Sequence, residues 1–220
     1  MVEADAAAWR HRVGIADATQ RNAVGELRRA AYREAAQFDW HDEATLDWSA
    51  ADDAGAVLAV WDRTGRMLST TRASVFARAA EAEAFLEYSL EGIEVATPTL
   101  VLSRVATAPD AARLGLFALL RYAYLQALPQ TPLASVVAIT YEGAPHVGSM
   151  RDAGYAFFEP RAAWDSEAVA RTRPLLAVLP RAHFERAFSL RAADMAGWLG
   201  GVQLQSAAVV GALRRCCQVT

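Results

Sequence analysis

Apolar and polar positions along the chain fall into short runs of two periods. His11 to Asp17 (HRVGIAD) alternates as a strand. Ala54 to Asp62 (AGAVLAVWD) and Met67 to Phe76 (MLSTTRASVF) alternate on either side of an Arg-Thr-Gly-Arg turn, which predicts a hairpin. Asn22 to Gln37 carries Leu27, Ala30, Ala31 and Ala35 at helical spacing, and the alanine- and glutamate-rich run from Ala77 to Ser89 predicts a second helix. Thr99 to Leu128 reads as a strand followed by a long helix. Ala134 to Tyr141 (ASVVAITY) is almost wholly apolar and is expected at the centre of a sheet. His146 to Ala153 suits a short helix, Tyr155 opens a further strand, and Leu175 to Pro180 could close the sheet. This order combines an antiparallel hairpin with strand-helix-strand crossovers, an α+β or mixed α/β pattern. A doubly wound dinucleotide fold needs a glycine fingerprint after its first strand, and VGIADATQRN is not one.

The tail changes the picture in one respect. Met195 to Leu213 carries no charge, yet Gln203, Gln205 and Ser206 occupy its centre and Gly200-Gly201 weakens a helix. Met195, Trp198, Leu199, Val202, Val209, Val210 and Leu213 fall roughly on one helical face. A packing helix or dimer contact is expected first, a surface membrane anchor second and a span last.

Composition excludes several chemistries. The 220 residues are 54% hydrophobic and 21% charged, which is globular, and the net charge of −3 argues against a nucleic-acid partner. The chain contains no lysine, so Schiff-base chemistry and a lysine phosphate loop are ruled out. Cys216 and Cys217 are adjacent, and nothing else is available to pair with them. A disulfide framework and a cysteine-rich metal site are not expected. MVEADAAAWRHRV has charges where a leader would be apolar, and the expected location is the cytoplasm.

The strand from Leu100 to Thr107 poses the main chemical question. Period-two alternation puts Leu100, Leu102, Arg104 and Ala106 on one face, and Val101, Ser103, Val105 and Thr107 on the other. A guanidinium on a central strand needs a partner. Either a helix carboxylate such as Glu26 or Glu34 supplies it, or a substrate carboxylate or carbonyl does. Arg72 raises the same question and reads more simply as an edge-strand charge. Beyond Pro109, Asp110 is a candidate helix cap, and a first turn holding Arg113 and Gly115 could present free amides to an anion. His146, just past the strand ending at Tyr141, is a candidate base, or else packs the helix start.

The order of elements, the crossover ATAPDAARLGLFALLRYAYLQAL and the later SMRDAGYAFFEP resemble the GCN5-related N-acyltransferase superfamily over Arg12 to Phe184. LRRAAYREAAQFDW (Leu27 to Trp40), the turn leading to Arg72, and VLSR (Val101 to Arg104) are most similar to its acyl-homoserine-lactone and N-acyl amino acid synthases. The resemblance implies a central mixed, mostly antiparallel sheet flanked by helices over residues 11–186, with a helical extension over 187–220. It also implies a thioester co-substrate, acyl-CoA or the phosphopantetheine of an acyl carrier protein, and no tightly bound cofactor. Val105, Thr107, Arg113, Leu114, Gly115 and Leu116 would hold the donor. Arg28, Tyr32, Trp40, Arg72 and Arg104 would hold the acceptor, an amino acid or other small amine. His146, Ser103 and Arg104 would serve catalysis.

Three departures matter. The family glutamate before Leu-Ser-Arg is Val101, the diphosphate pattern is reduced to Ala112-Arg113-Leu114-Gly115-Leu116-Phe117, and the tyrosine that protonates the leaving thiolate falls at Met150. They shift the expectation toward a long-chain or carrier-bound donor. A small-acyl acetyltransferase and a non-catalytic acyl or CoA sensor of the same fold stay open.

Overall fold

The computed structural model describes residues 10–34, 43–159 and 173–219. Eight strands form one sheet in the order β6-β7-β5-β4-β3-β2-β1-β8. They are β1 (His11–Ala16), β2 (Ala56–Asp62), β3 (Met67–Phe76), β4 (Thr99–Thr107), β5 (Ser135–Tyr141), β6 (Ala156–Phe158), β7 (Pro174–Pro180) and β8 (Val202–Leu204). Only β4 with β5 and β1 with β8 pair in parallel; the other pairs are antiparallel. The helices are α1 (Arg21–Glu34), α2 (Ala50–Ala54), α3 (Ala79–Leu86), α4 (Leu116–Ala127), α5 (Val147–Asp152), α6 (Phe184–Leu199) and α7 (Ser206–Val219). The mixed α/β class agrees with the pattern of apolar positions, and the mostly antiparallel sheet with what the resemblance implied.

The centre of the sheet follows from its composition. Val57 to Val60 of β2 and Val136 and Val137 of β5 are wholly enclosed, as continuous apolar runs should be. β7 does not close the sheet: β6 pairs outside it. The turn before β6 needs Gly154, which has φ +95° and lies under the His183 ring. A β-carbon there would stand 2.1 Å from His183 Nδ1, so no other residue fits.

Two stretches differ from their expected form. The uncharged run from Met195 to Leu213 is not one helix. α6 ends at Leu199, the Gly200-Gly201 pair turns the chain, and β8 pairs with β1 before α7 begins. The backbone of 202–204 is used as a sheet edge, and no helix among the described residues is long and apolar enough to cross a membrane. α6 and α7 both pack against α4, and the 186/187 boundary lies inside α6. In α7, Cys216 is buried and its thiol is raised by that burial; it borders a cavity of about 360 Å³ shared with Trp48 and Gly55.

The second difference lies in β4. Arg72 pairs with Ser103 and Thr70 with Ala106, so Thr71 alone stands opposite both Arg104 and Val105. This is a β-bulge, and Arg104 sits in it with φ +52°. The bulge breaks the expected alternation: Ala106 moves to the face of Ser103, and Arg104 leaves the ladder. Parallel pairing with β5 ends one residue earlier, at Leu102–Ala138, although β4 runs on to Thr107 and β5 to Tyr141. The two strands diverge from that point.

α1 and α2 are tied to each other by a buried ion pair. Arg28 and Asp52 are both enclosed and meet through two hydrogen bonds, Nη2 to Oδ1 at 2.7 Å and Nη1 to Oδ2 at 3.1 Å. Burial acts to raise the Asp52 carboxyl. The bonds and charge of Arg28, the Ser49 amide and the charge of Arg72 outweigh it and hold the carboxyl below its ordinary range. Asp52→Ala would strand the Arg28 charge and is expected to cost about 3–5 kcal/mol in urea unfolding, with Arg28→Leu/Asp52→Leu recovering most of it. Because the folded value is depressed, this stabilisation is present above the ordinary carboxylate value and is lost as pH falls below it and through the lower folded value. A double variant as unstable as the single one would show that the pair is not what holds α1 to α2.

Candidate active site

Strand alternation and the bulge assemble the site. Val57, Arg72 and Ser103 lie in one row across β2, β3 and β4, so their side chains share a face. On that face Arg72 Nε donates to Ser103 Oγ at 3.0 Å, Arg72 Nη1 approaches Ser49 Oγ at 3.5 Å, and the guanidinium lies 4.9 Å from the Phe85 ring centroid. Arg72 is therefore no edge-strand charge. It stands on a central strand with 8% of its surface exposed. Burial, with Arg104 and Arg28 nearby and Asp52 opposing, pushes its guanidinium down to about 10. It remains a cation at neutral pH.

Arg104 points into the same cluster. Burial and the charge of Arg28 lower its guanidinium, while Tyr32, Asp52 and Glu87 act in the other direction. Glu26 and Glu34, the helix carboxylates considered as partners, are on the exposed side of α1. The Tyr32 phenol is raised by burial and drawn back by Arg104, Arg28 and Arg72. The structure thus gathers Arg28, Tyr32, Arg72, Ser103 and Arg104 around one place. Trp40 lies outside the described residues. Among the described residues Asp52 and Glu87 act on these guanidiniums, and Asp52 is held bidentately by Arg28.

The opposite side of β5 holds His146. Its Nε2 shares a hydrogen bond of 2.8 Å with Thr140 Oγ1, and its ring meets Phe117 edge-on at 5.4 Å. Burial, then the charges of Arg121 and Arg191, lower the imidazole, which is neutral at pH 7. His146 stands at the start of α5 without capping it through its side chain. The next residue of β5, Tyr141, is raised by burial and by Tyr32. Successive strand residues face opposite ways, so Thr140 and Tyr141 place the histidine and the arginine cluster on the two sides of β5. The gap between β4 and β5 lies between them.

At the entrance to α4 the details depart from the sequence reading. The helix begins at Leu116, with Gly115 at its cap position in the left-handed region (φ +66°), and Arg113 lies outside the first turn. Asp110 does not cap it. Its carboxylate is paired with both terminal nitrogens of Arg66, each at 2.8 Å. The Leu114 amide is spent on the Ala111 carbonyl at 3.0 Å, so it is not free for an anion; the Leu114 side chain and the nearby Trp198 of α6 are exposed. Val105 falls in the bulge, while Thr107 pairs with Ser69 and its hydroxyl meets Ser69 Oγ at 2.8 Å.

Sequence reasoning passed over Asp52, Ser49, Phe85, Thr140 and Tyr141. One signal was available. Ser49-Ala-Ala-Asp52 is a capping box, with the Ser49 amide on Asp52 Oδ2 at 2.9 Å, and it announces α2.

No family model matches the chain, and no curated protein matches its sequence. Solved structures do. A CoA-dependent acyl-homoserine lactone synthase, BjaI, determined with SAM and isopentyl-CoA, is 16% identical; the match covers 95% of this chain and 99% of that one, with a TM-score of 0.58. FeeM, an N-acyl amino acid synthase from uncultured soil microbes, is 13% identical over 84% of this chain and 98% of its own, also at 0.58. The ribosomal-protein-S18-alanine N-acetyltransferase from Escherichia coli is 14% identical over 77% and 93%, at 0.50. The fold is that of the GCN5-related N-acyltransferases.

The lowered imidazole of His146 has a measurable consequence. The unfolded chain takes up a proton near 6.5 that the folded one resists, so stability is full above that value and falls as pH drops below it. His146→Gln should flatten this part of the urea stability profile between pH 7.5 and 5.5, by at most about 1.4 kcal/mol per pH unit. An unchanged slope would place His146 in water.

Proposed function

We propose that the protein is an N-acyltransferase that moves a fatty acyl group from a pantetheine thioester, on CoA or on an acyl carrier protein, to the amine of an amino acid. The observation that carries the reading is the bulge at Arg104, which ends the pairing of β4 with β5 and opens the sheet between an arginine cluster and a neutral histidine. The acceptor's carboxylate binds Arg104 and Arg72, whose guanidiniums can form charge-assisted forks with it, with Arg28 and Tyr32 framing the same side. The donor lies along the free edge of β4 beyond Leu102, its amides paired with the backbone near Val105 and Thr107. The amides of Arg113, Gly115 and Leu116 would face its phosphate, as in the sequence reading, without that of Leu114.

In this reading the acceptor nitrogen attacks the thioester carbonyl, the new carbon–nitrogen bond forms and the carbon–sulfur bond breaks. The nitrogen's proton passes to His146 and from there to the departing thiolate, which leaves as a thiol. Ser103 holds Arg72 in place through its hydroxyl. Orientation of the two substrates in the gap supplies much of the rate.

The test separates acceptor binding from stability. Arg104 occupies a backbone conformation that costs a residue with a β-carbon about 1–2 kcal/mol, and Arg104→Gly removes both that cost and a half-buried charge. The variant is expected to be at least as stable as the wild type on thermal unfolding, yet to lose at least about tenfold in kcat/KM for the acceptor, a loss of about 1.4 kcal/mol or more in binding the transition state. Products are followed by mass spectrometry with a panel of acyl-CoA chain lengths and amino acids. A destabilised variant with unchanged acceptor kinetics would make Arg104 structural. Binding of acyl-CoA with no acylated amine from any acceptor would leave a thioester-binding protein instead of an enzyme.

A further inference from the structure

A second basic cluster lies behind His146, and no step described above uses it. Arg121 of α4 is 2% exposed. It stands one turn beyond Phe117, on the same helix face, and its Nη1 donates to Ser149 Oγ of α5 at 3.2 Å. Arg191 of α6 approaches from the other side, with Nη2 donating to the same oxygen at 3.2 Å. The Ser149 hydroxyl in turn donates to the His146 carbonyl at 2.9 Å. One neutral oxygen therefore receives two cations, Arg121 buried and Arg191 partly so, and its own proton is already spent.

Among the described residues this charge is not balanced. Asp194 meets Arg191 Nη1 at 3.4 Å, but its side chain is 58% exposed. Tyr124 and Tyr155 bond to each other through their hydroxyls at 3.1 Å. Burial keeps the Tyr155 phenol well above its ordinary value, so it supplies no negative charge. His146 is held neutral. Arg121 Nε and Nη2 and Arg191 Nε are buried and have no partner among the described residues. Buried donors are ordinarily satisfied, and leaving several on cations is costly.

The arrangement of these nitrogens identifies what is missing. Nε and Nη2 of one guanidinium lie on the same edge and form a two-pronged fork that matches two oxygens of an oxyanion. Arg191 Nε adds a third donor from a different helix, which suits a tetrahedral anion better than a planar carboxylate. We propose that Arg121 and Arg191, held together by Ser149, form a phosphate-binding site between α4, α5 and α6, set apart from the amides at the start of α4. Arg191, whose side chain keeps 11% of its surface exposed, marks the entrance. The site stands without the acyltransfer reading; only the identification of its occupant with a phosphate of the donor rests on that reading.

Inorganic phosphate added to the full chain at constant ionic strength should raise the thermal midpoint, by about 5 °C at a hundredfold excess over the dissociation constant. Arg121→Met should abolish this response and, without phosphate, be at least as stable as wild type, since a buried unpaired charge has gone. A destabilised Arg121→Met that still responds to phosphate, or a wild type that does not respond, would overturn the site. Should Arg121→Met fail to fold, Arg191→Gln must weaken apparent phosphate affinity at least tenfold; unchanged affinity overturns the proposal. Saturating CoA identifies the source. Loss of the phosphate response in its presence assigns the site to the donor, and an additive response assigns it to free phosphate. Turnover of an acyl-pantetheine thioester, which carries no phosphate, reports on acyl transfer separately, so failure of one reading leaves the other intact.

Discussion

The bulge at Arg104 is the constraint on which the site depends. Two residues of β4 face one of β3, and the extra residue turns the strand away from β5 after Leu102. Without it, β4 and β5 would continue pairing to their ends and the sheet would be closed between Tyr32 and His146. The bulge also brings Arg104 to the side of Arg72. A left-handed conformation at a residue with a β-carbon costs about 1–3 kcal/mol and persists where the surroundings enforce it. Here the enforcing elements are the antiparallel ladder with β3 and the parallel pairs from Thr99 to Leu102.

Charge accounts for the rest of the arrangement. On one side of β5, Arg28, Arg72 and Arg104 share Asp52, and the carboxylate is engaged bidentately by Arg28 alone. The Arg72 guanidinium also lies against the Phe85 ring, and in the proposed reading the positive charge of this cluster meets an acceptor that brings its own carboxylate. On the other side, Arg121 and Arg191 converge on Ser149 and help keep His146 neutral. α6 supplies Arg191 and lays Trp198 over Gly115, so the helix after the last long strand contributes to both the histidine side and the entrance to α4.

Much of this was legible in the sequence, and the misses have physical reasons. The hairpin around Arg-Thr-Gly-Arg, the apolar β5 and the strand-to-helix crossover are local patterns, and each appears where periodicity puts it. Arg72 and Arg104 stood out because guanidiniums interrupt apolar strands. The bulge did not, because strict alternation reads through VLSRVAT as though every residue were paired. Asp52 was missed because the ion pair joins residues 24 positions apart, and neither end alone reveals the other. Gly115 was placed inside α4 instead of at its cap because its positive φ is set by the preceding turn at Pro109–Ala111. The tail read as one apolar helix because β8 spends only three residues pairing with β1.

The central claim is that the gap between β4 and β5 is the thioester channel. A crystal structure of the full chain with a non-reactive thioether analogue of a long-chain acyl-CoA tests it directly. The account predicts the pantetheine arm along β4 beyond Leu102, with its amides hydrogen-bonded near Val105, the sulfur between Arg104 and His146, and the Leu102–Ala138 pair unchanged. An analogue bound elsewhere, with the β4 edge beyond Leu102 left unoccupied, would contradict it.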